Sequence, residues 1–217
     1  MGAVKGGNGR TYGGQTGSER ATDRRDALRS AAFAIVAESG WRDLTIEAVC
    51  RRARLNKRYF YESFSDQDAL IAAVTGHLAE EAIAVTLAAI APAADPTQAT
   101  RRAIAAFVAH LIEDPRRARV LFGAVPAGDA AAGHRAAAIR QVIATVAAQG
   151  RSIHALAEDP TVDLSAAMLV GGTSQSVLDW LDGRIDCHRD QLIEDLVALW
   201  QSIGDVASSR VRRRAGG

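Results

Sequence analysis

The chain has 217 residues, enough for one large or two small domains with a hydrophobic core. Hydrophobic residues make up 48% and aromatic residues only 5%, and the many alanines favour helices over sheets. No stretch approaches the roughly 18 uninterrupted apolar residues of a membrane span, and the Gly-rich residues 1–17 lack the apolar core of a signal peptide. We therefore expect an all-α, cytoplasmic protein without a membrane partner.

The formal net charge of +1 conceals an uneven distribution. Residues 1–64 carry 12 Lys and Arg against 7 Asp and Glu, residues 65–209 carry 10 against 18, and the last eight residues add four Arg. Phosphate binding needs local positive charge, and an acidic body disfavours wrong docking on DNA. The overall charge therefore does not argue against a nucleic-acid partner.

The first elements in chain order are an arm and a helix. Residues 1–20 are polar and Gly-rich, which predicts a disordered arm. A helix is predicted over 23–39 with Thr22 as its cap and Gly40 at its end. Its apolar face consists of Leu28, Ala32, Ile35 and Val36.

Three helix starts follow within about twenty residues. Thr45 and Asn56 are predicted N-caps, each preceded by a leucine that packs on the following helix, and Ser65-x-x-Asp68 is a capping box. Such close spacing allows only short helices joined by tight turns. It predicts a helix-turn-helix over 45–64.

The second helix of this motif, 56–64, has an unusual composition for a surface segment. Phe60 and Phe64 suit a core, but Lys57, Arg58 and Tyr59 together are not explained by packing. We interpret this helix as the one that enters a DNA groove.

Longer helices are predicted downstream, with a turn at Pro126-Ala127-Gly128 and a short link at Gly183–Asp186. Their ranges are 66–91, 97–113, 116–124, 131–157, 163–182 and 187–207. The last two are candidates for a dimer-forming four-helix bundle, and the mid-helix Gly171-Gly172 suggests close approach of another backbone. The candidate interface residues are Met168, Gly172, Gln175, Leu178, Leu192, Leu196 and Leu199.

Residues 44–49 (LTIEAV) and 53–64 (ARLNKRYFYESF) resemble the DNA-binding signature of the TetR family of bacterial regulators, and residues 65–70 resemble the entry into its fourth helix. The close match covers about 50 residues; the rest is similar in architecture only. The resemblance implies a helix-turn-helix domain at 21–65 and a helical ligand-binding and dimerisation domain at 66–207. The Arg-rich composition of residues 208–217 predicts a basic disordered tail.

The resemblance also implies roles for individual residues. Thr45, Lys57 and Tyr61 lie at positions that grip DNA phosphates, with Arg24 or Arg25 as a further phosphate contact. Asn56, Arg58 and Tyr59 lie where base edges are read, Arg suiting guanine and Asn suiting adenine.

Three residues depart from the family pattern. Arg54 stands where the turn commonly has Gly, which leaves either a strained turn or an ordinary φ. Arg58 replaces a small residue, and Gln67 replaces a phosphate-binding Lys.

The function expected from these features is that of a dimeric repressor, released from a near-palindromic operator when a small molecule binds the helical body. The fourth helix would couple body to DNA-binding head. Two alternatives remain: an activator of the same fold, and a helical ligand-binding module without DNA binding.

The sequence does not identify the effector. We expect neither a cofactor nor an enzymatic activity. Candidate cavity residues are Phe107, His110, Phe122, His154 and Trp180. No phosphate loop, nucleophile elbow or catalytic cluster is present. His110 with Glu113 and Asp114, and His154 with Glu158, fall short of a zinc ligand set. Cys50 and Cys187 match no metal spacing and are predicted to be buried or half-buried hydrophobic residues.

The Arg-rich segment Arg210–Arg214 closes the chain. It either touches DNA phosphates or is simply solvated, and we expect the latter.

Overall fold

The computed structural model describes residues 16–91, 93–124 and 130–215. Within these ranges all regular structure is helical, which confirms the predicted fold class. Most of residues 1–20 and the turn predicted at Pro126–Gly128 lie outside the described residues. The elements are α1 (Gly17–Ser39), a 3₁₀ turn (Trp41–Asp43), α2 (Ile46–Ala53), α3 (Lys57–Ser63), α4 (Gln67–Ile90), α5 (Pro96–Glu113), α6 (Pro115–Phe122), α7 (Ala130–His154), α8 (Pro160–Leu181) and α9 (Arg189–Ala215).

Helix α1 begins six residues earlier than predicted, because Thr16 and not Thr22 is its N-cap. The Thr16 hydroxyl accepts a hydrogen bond from Glu19 N at 3.2 Å, and the Glu19 carboxylate accepts one from Thr16 N at 2.6 Å. This reciprocal pair satisfies two backbone N–H groups at the helix start. Residues 17–20 are therefore helical rather than part of a disordered arm. The helix ends at Gly40, as predicted, where φ is +83°.

Helices α1, α2 and α3 pack on one another and form the N-terminal head. Arg54 ends α2 in the left-handed region, with φ +56° and ψ +36°. Of the two alternatives left by the sequence, the strained turn is the one observed, and a residue with a Cβ pays about 1–2 kcal/mol there. The cap of α4 is Asp66, whose carboxylate accepts from Ala69 N at 2.8 Å; the predicted cap, Ser65, instead donates its hydroxyl to Asp66 at 3.0 Å.

Helix α4 leads from the head into the body and contacts α1, α5, α6 and α7. It is also the one helix, among the residues the structure describes, that is long and apolar enough to cross a membrane by length and composition. Helices on several sides pack against it, which is the position of a core helix in a folded domain. Its composition is thus explained by packing.

Helices α7 and α8 differ in their bounds from the prediction. Helix α7 ends at His154 because Ala155 has a positive φ of +49°. Helix α8 begins at Pro160, where the Asp159 carboxylate accepts from Thr161 N at 2.7 Å. Proline suits the first helical position, since its missing N–H would have no partner there.

Helix α9 continues through Arg210–Arg214 to Ala215, so the prediction of a disordered tail from residue 208 is wrong for residues 208–215. Val211 on its inner face is 3% exposed, and Arg214 Nη1 binds both carboxylate oxygens of Asp159, at 3.0 and 3.2 Å. Burial on one face and an ion pair at the end hold the last turns in place.

Helix α6 links the head to the body. Its Val120 and Leu121 belong to the apolar cluster that contains the head's core, whereas its Ala118 packs with α5, α8 and α9. Since the first cluster also includes α4 and α7 residues, the core is continuous across the boundary predicted at residue 65.

Candidate functional site

Helix α3 presents different side chains to the core and to solvent. Phe60 and Phe64 are 0% and 3% exposed and anchor the helix. The side chains of Lys57 and Arg58 are 56% and 84% exposed, and Tyr61 is 57% exposed. The outer face therefore combines two cations and a phenol, groups that contact phosphates and base edges in DNA complexes.

Tyr59 and the two arginines of α1 are less available than the sequence suggested. Tyr59 is half-buried, and the Arg24 guanidinium lies 4.8 Å from its ring centroid. Arg25 donates to the Ser63 carbonyl and lies 4.2 Å from the ring centroid of Phe64. Arg24 and Arg25 thus tie α1 to α3, so a phosphate would have to compete with these contacts.

Thr45 and Asn56 are both exposed N-caps. The Thr45 hydroxyl accepts from Ala48 N at 3.1 Å, and its own proton remains free to be donated to a phosphate. The Asn56 side-chain oxygen accepts from Tyr59 N at 3.1 Å. A bidentate contact to adenine needs that same oxygen, so it would compete with the cap; only the amide NH₂ is free.

Both cations on the outer face of α3 are paired with carboxylates. Lys57 Nζ donates to Glu47 Oε1, and Arg58 Nε donates to Glu62 Oε1 at 2.9 Å. The hydrogen bond from Lys57 lowers the pKa of Glu47, and Glu47 raises the pKa of Lys57, so both stay charged at neutral pH. Exposed ion pairs are weak. Phosphates can therefore replace these carboxylates when DNA binds.

A largely apolar cavity of about 150 Å³ lies in the body between α4, α5, α7, α8 and α9. Among the described residues its lining includes no Asp, Glu, Lys or Arg. Dry apolar cavities of this size bind apolar molecules. Its polar groups are hydroxyls, an amide and an imidazole: Thr86, Thr100, Thr145, Gln149, His154, Ser165, Thr173 and Ser208.

Two of the five predicted cavity residues, Phe107 and His154, line this cavity, and the other three do not. Phe122 lies against Phe107, edge to face with centroids 6.1 Å apart. The Trp180 indole donates to the Cys187 carbonyl at 2.9 Å. His110 is 9% exposed, and its carbonyl accepts from Arg117 at 3.2 Å. Those three side chains belong to the packing of the body.

The sequence analysis missed several residues of the cavity wall. Trp200 Nε1 donates to Thr173 Oγ1 at 2.8 Å, and the Ser208 hydroxyl is buried without a hydrogen-bond partner among the described residues. Trp200, Gly204, Ala207 and Ser208 recur at i, i+4, i+7 and i+8, which places them on one helix face. Three of the four residues lie within the helix predicted over 187–207, so the spacing was a signal that could have found them; only Ser208 lay beyond the predicted end.

In the two acid–histidine groups considered as metal ligands, the carboxylates pair with arginines instead. Asp114 binds Arg116 at 2.8 Å, Glu113 lies 3.9 Å from Arg117, and Glu158 lies 3.5 Å from Arg151. Within 16–91, 93–124 and 130–215, no three His, Cys, Asp or Glu side chains are placed to hold a metal ion. Both cysteines are free: Cys50 is buried, which raises its thiol pKa, and Cys187 is half-buried.

The predicted dimer residues divide into two groups. Leu178, Leu192 and Leu196 are buried in the core that α8 and α9 form with α5, so they cannot offer a surface to a second copy. Four remain exposed: Met168, Gly172, Gln175 and Leu199. A Cβ added to Gly171 or Gly172 would meet no atom within 4 Å among the described residues outside their own stretch of helix, so no packing within this part of the chain requires glycine there.

Comparison with known families identifies the head. Residues 28–74 match the sequence model of a family described as bacterial regulatory proteins, tetR family. This range runs from α1 into α4 and contains the whole helix-turn-helix. No curated protein matches the chain in sequence.

Solved structures resemble nearly the whole chain. A chain from Syntrophomonas wolfei described as a TetR-family transcriptional regulator has a TM-score of 0.71 at 11% identity, covering 84% of this chain and 95% of that one. A TetR family regulator from Marinobacter aquaeolei VT8 has a TM-score of 0.58 at 16% identity, covering 85% and 97%. The regulator FadR from Bacillus subtilis, solved in complex with stearoyl-CoA, has a TM-score of 0.61 at 16% identity, covering 85% and 97%. At such identities the likeness concerns the fold alone. The head thus matches the DNA-binding domain of the tetR family of bacterial regulatory proteins, and the described remainder has the fold of solved structures described as regulators of that family.

Proposed function

We propose that the protein is a homodimeric repressor that leaves a near-palindromic operator when a small molecule binds its body. The observation that carries this proposal is the two-sided α3, with phenyl rings buried beneath and Lys57, Arg58 and Tyr61 exposed above. Two copies of such a helix would enter successive major grooves and so read two half-sites.

The cavity between α4 and α9 is the proposed effector site. Its apolar wall with a few hydroxyl groups is typical of small-molecule sites. FadR of Bacillus subtilis, which has a similar fold, was solved with stearoyl-CoA, which supports a ligand-binding role for a body of this kind. An effector shifts the protein away from DNA only as far as it prefers the conformation that does not fit DNA.

The proposed dimer contact lies on α8 and α9. Leu164 and Met168 on α8, and Leu199 and Val206 on α9, are 57–62% exposed although all four are large and apolar. An apolar stripe of this kind on two antiparallel helices suits a four-helix bundle with a second copy. Gly172, one turn beyond Met168, would allow close approach of the partner.

Selection of bound fragments from genomic DNA tests the proposal, followed by mobility-shift titrations over a range of salt concentrations. We expect enriched fragments with two inverted half-sites and an affinity that falls steeply with salt. No binding at low salt would overturn the proposal in favour of a helical ligand-binding module. A reporter placed behind the selected operator separates repressor from activator, because a repressor lowers expression in the absence of effector.

A further inference from the structure

A second, polar cavity adjoins the apolar one near the C-terminal end of α9. Its lining consists of His154, Asp205, Ser208, Ser209, Arg212 and Arg213. His154 and Ser208 line both cavities, so the two spaces are adjacent at these side chains. We call the polar space the mouth of the effector cavity.

The charges of the mouth favour an anion. Arg212 and Arg213 are exposed, and neither pairs with a carboxylate among the described residues. Arg212 Nη2 donates to the His154 carbonyl at 3.3 Å, which places this guanidinium beside the end of α7. Asp205 is the one carboxylate in the lining. Two guanidinium groups against one carboxylate leave the mouth net positive even when His154 is neutral.

The Ser208 hydroxyl lies where the two spaces meet. Ser208 is only 7% exposed, and its Oγ has no hydrogen-bond partner within the described part of the chain. A buried hydroxyl without a partner is costly. A polar atom of a ligand at the junction would supply the missing partner.

We propose that the effector is an amphipathic anion, with an aliphatic chain in the apolar cavity and a carboxylate or phosphate-bearing head at Arg212 and Arg213. This inference rests on the proposed function, since it assumes that the cavity holds the effector. Guanidinium groups bind such heads through charge-assisted hydrogen bonds. Arg212 and Arg213 therefore serve the effector site.

Calorimetric titration of the full chain with three probes tests this inference: decanoate, decanoyl-CoA and the neutral decanol. We expect both anions to bind about tenfold or more tighter than decanol. The double variant Arg212→Gln/Arg213→Gln should weaken both anions about tenfold and leave decanol unchanged. Arg210→Gln, an exposed arginine of the same helix outside the mouth, is the matched control and should change nothing. Tighter binding of the thioester than of decanoate would assign the head to the CoA phosphates, and the reverse to the carboxylate.

A second variant separates failure of this inference from failure of the proposed effector site. Gly204 lines the apolar cavity, and a Cβ added to it meets no atom within 4 Å, so the side chain of Gly204→Leu starts in open space and occupies part of the cavity. It should block all three probes. If decanol binds as tightly as the anions, or the double variant weakens all probes equally, the anion site is refuted while the cavity stands. If no probe binds, or Gly204→Leu blocks none, the effector site itself is refuted.

Discussion

Lys57→Ala isolates one proposed phosphate contact of the DNA interface. When a protein loses one phosphate contact, the slope of log affinity against log salt concentration becomes less steep by about 0.9. Between about 50 and 200 mM salt, a fourfold change, the ratio of wild-type to variant affinity should therefore shrink by about 3.5-fold. The variant also leaves Glu47, the partner of Lys57 in the free protein, as an unpaired carboxylate facing the phosphates. Glu47→Gln/Lys57→Ala should therefore bind more tightly than Lys57→Ala at low salt, with the same reduced slope.

Fluorescence anisotropy with a labelled duplex of random sequence measures both effects, because a phosphate contact does not depend on base sequence. Arg140→Ala, at an exposed arginine of α7 in the body, is the matched control for loss of one positive charge. The assignment of Lys57 to the phosphates is refuted if Lys57→Ala has the same salt slope as wild type. It is also refuted if Arg140→Ala reduces the slope as much as Lys57→Ala does.

Four further changes have defined outcomes. Arg58→Ala should weaken binding to a selected operator by about 10- to 100-fold with little change on random duplex, in the same anisotropy assay. Arg54→Gly should raise the free energy of unfolding by up to about 1 kcal/mol, seen as a higher Tm, because glycine adopts the left-handed turn without strain. Burial and the charge of Arg117 lower the pKa of His110, so the folded protein favours the neutral imidazole. The contribution of His110 to the free energy of unfolding is therefore complete above about pH 6.5 and is lost at lower pH. His110→Gln should make the free energy of unfolding in urea less dependent on pH between about pH 7 and 5. If the protein is the proposed dimer, Met168→Arg should make it a monomer in light scattering, and a mass equal to that of the wild-type dimer would exclude the α8–α9 stripe as the interface.

The head was predictable because its signals are local. Thr45 and Asn56 cap the helices that their positions indicated, and Phe60 and Phe64 are buried as their spacing requires. The accessibility of Tyr59 was not predictable, since it depends on Arg24, a residue of another helix that stacks on the ring. Local sequence signals predict which residues lie near the proposed DNA-binding face, but contacts between helices decide which of those side chains are accessible.

The proposed effector cavity was harder to predict, because five helices build it and no local sequence pattern indicates the distances between them. Phe107 and His154 were identified, yet equally plausible aromatic residues such as Phe122 and Trp180 pack elsewhere. The mouth was missed for a different reason. The composition of an Arg-rich terminus predicts a solvated tail. Here the burial of Val211 and the pairing of Arg214 with Asp159 hold it in a helix.

Helix α6 packs between the helices of the proposed effector cavity and the head. Its Val120 and Leu121 pack with the core of the head, its Ala118 packs with α5, α8 and α9, and α5, α8 and α9 also line the cavity. Arg116 at its start lies 5.3 Å from the ring centroid of Phe33 on α1. A ligand that moves α5 or α8 must therefore move α6 or open its packing, and close-packed interiors resist the latter. Because α4 and α6 both join body to head, the proposed effector would act on the head through these two helices, and in the proposed dimer the spacing of the two α3 helices would change accordingly.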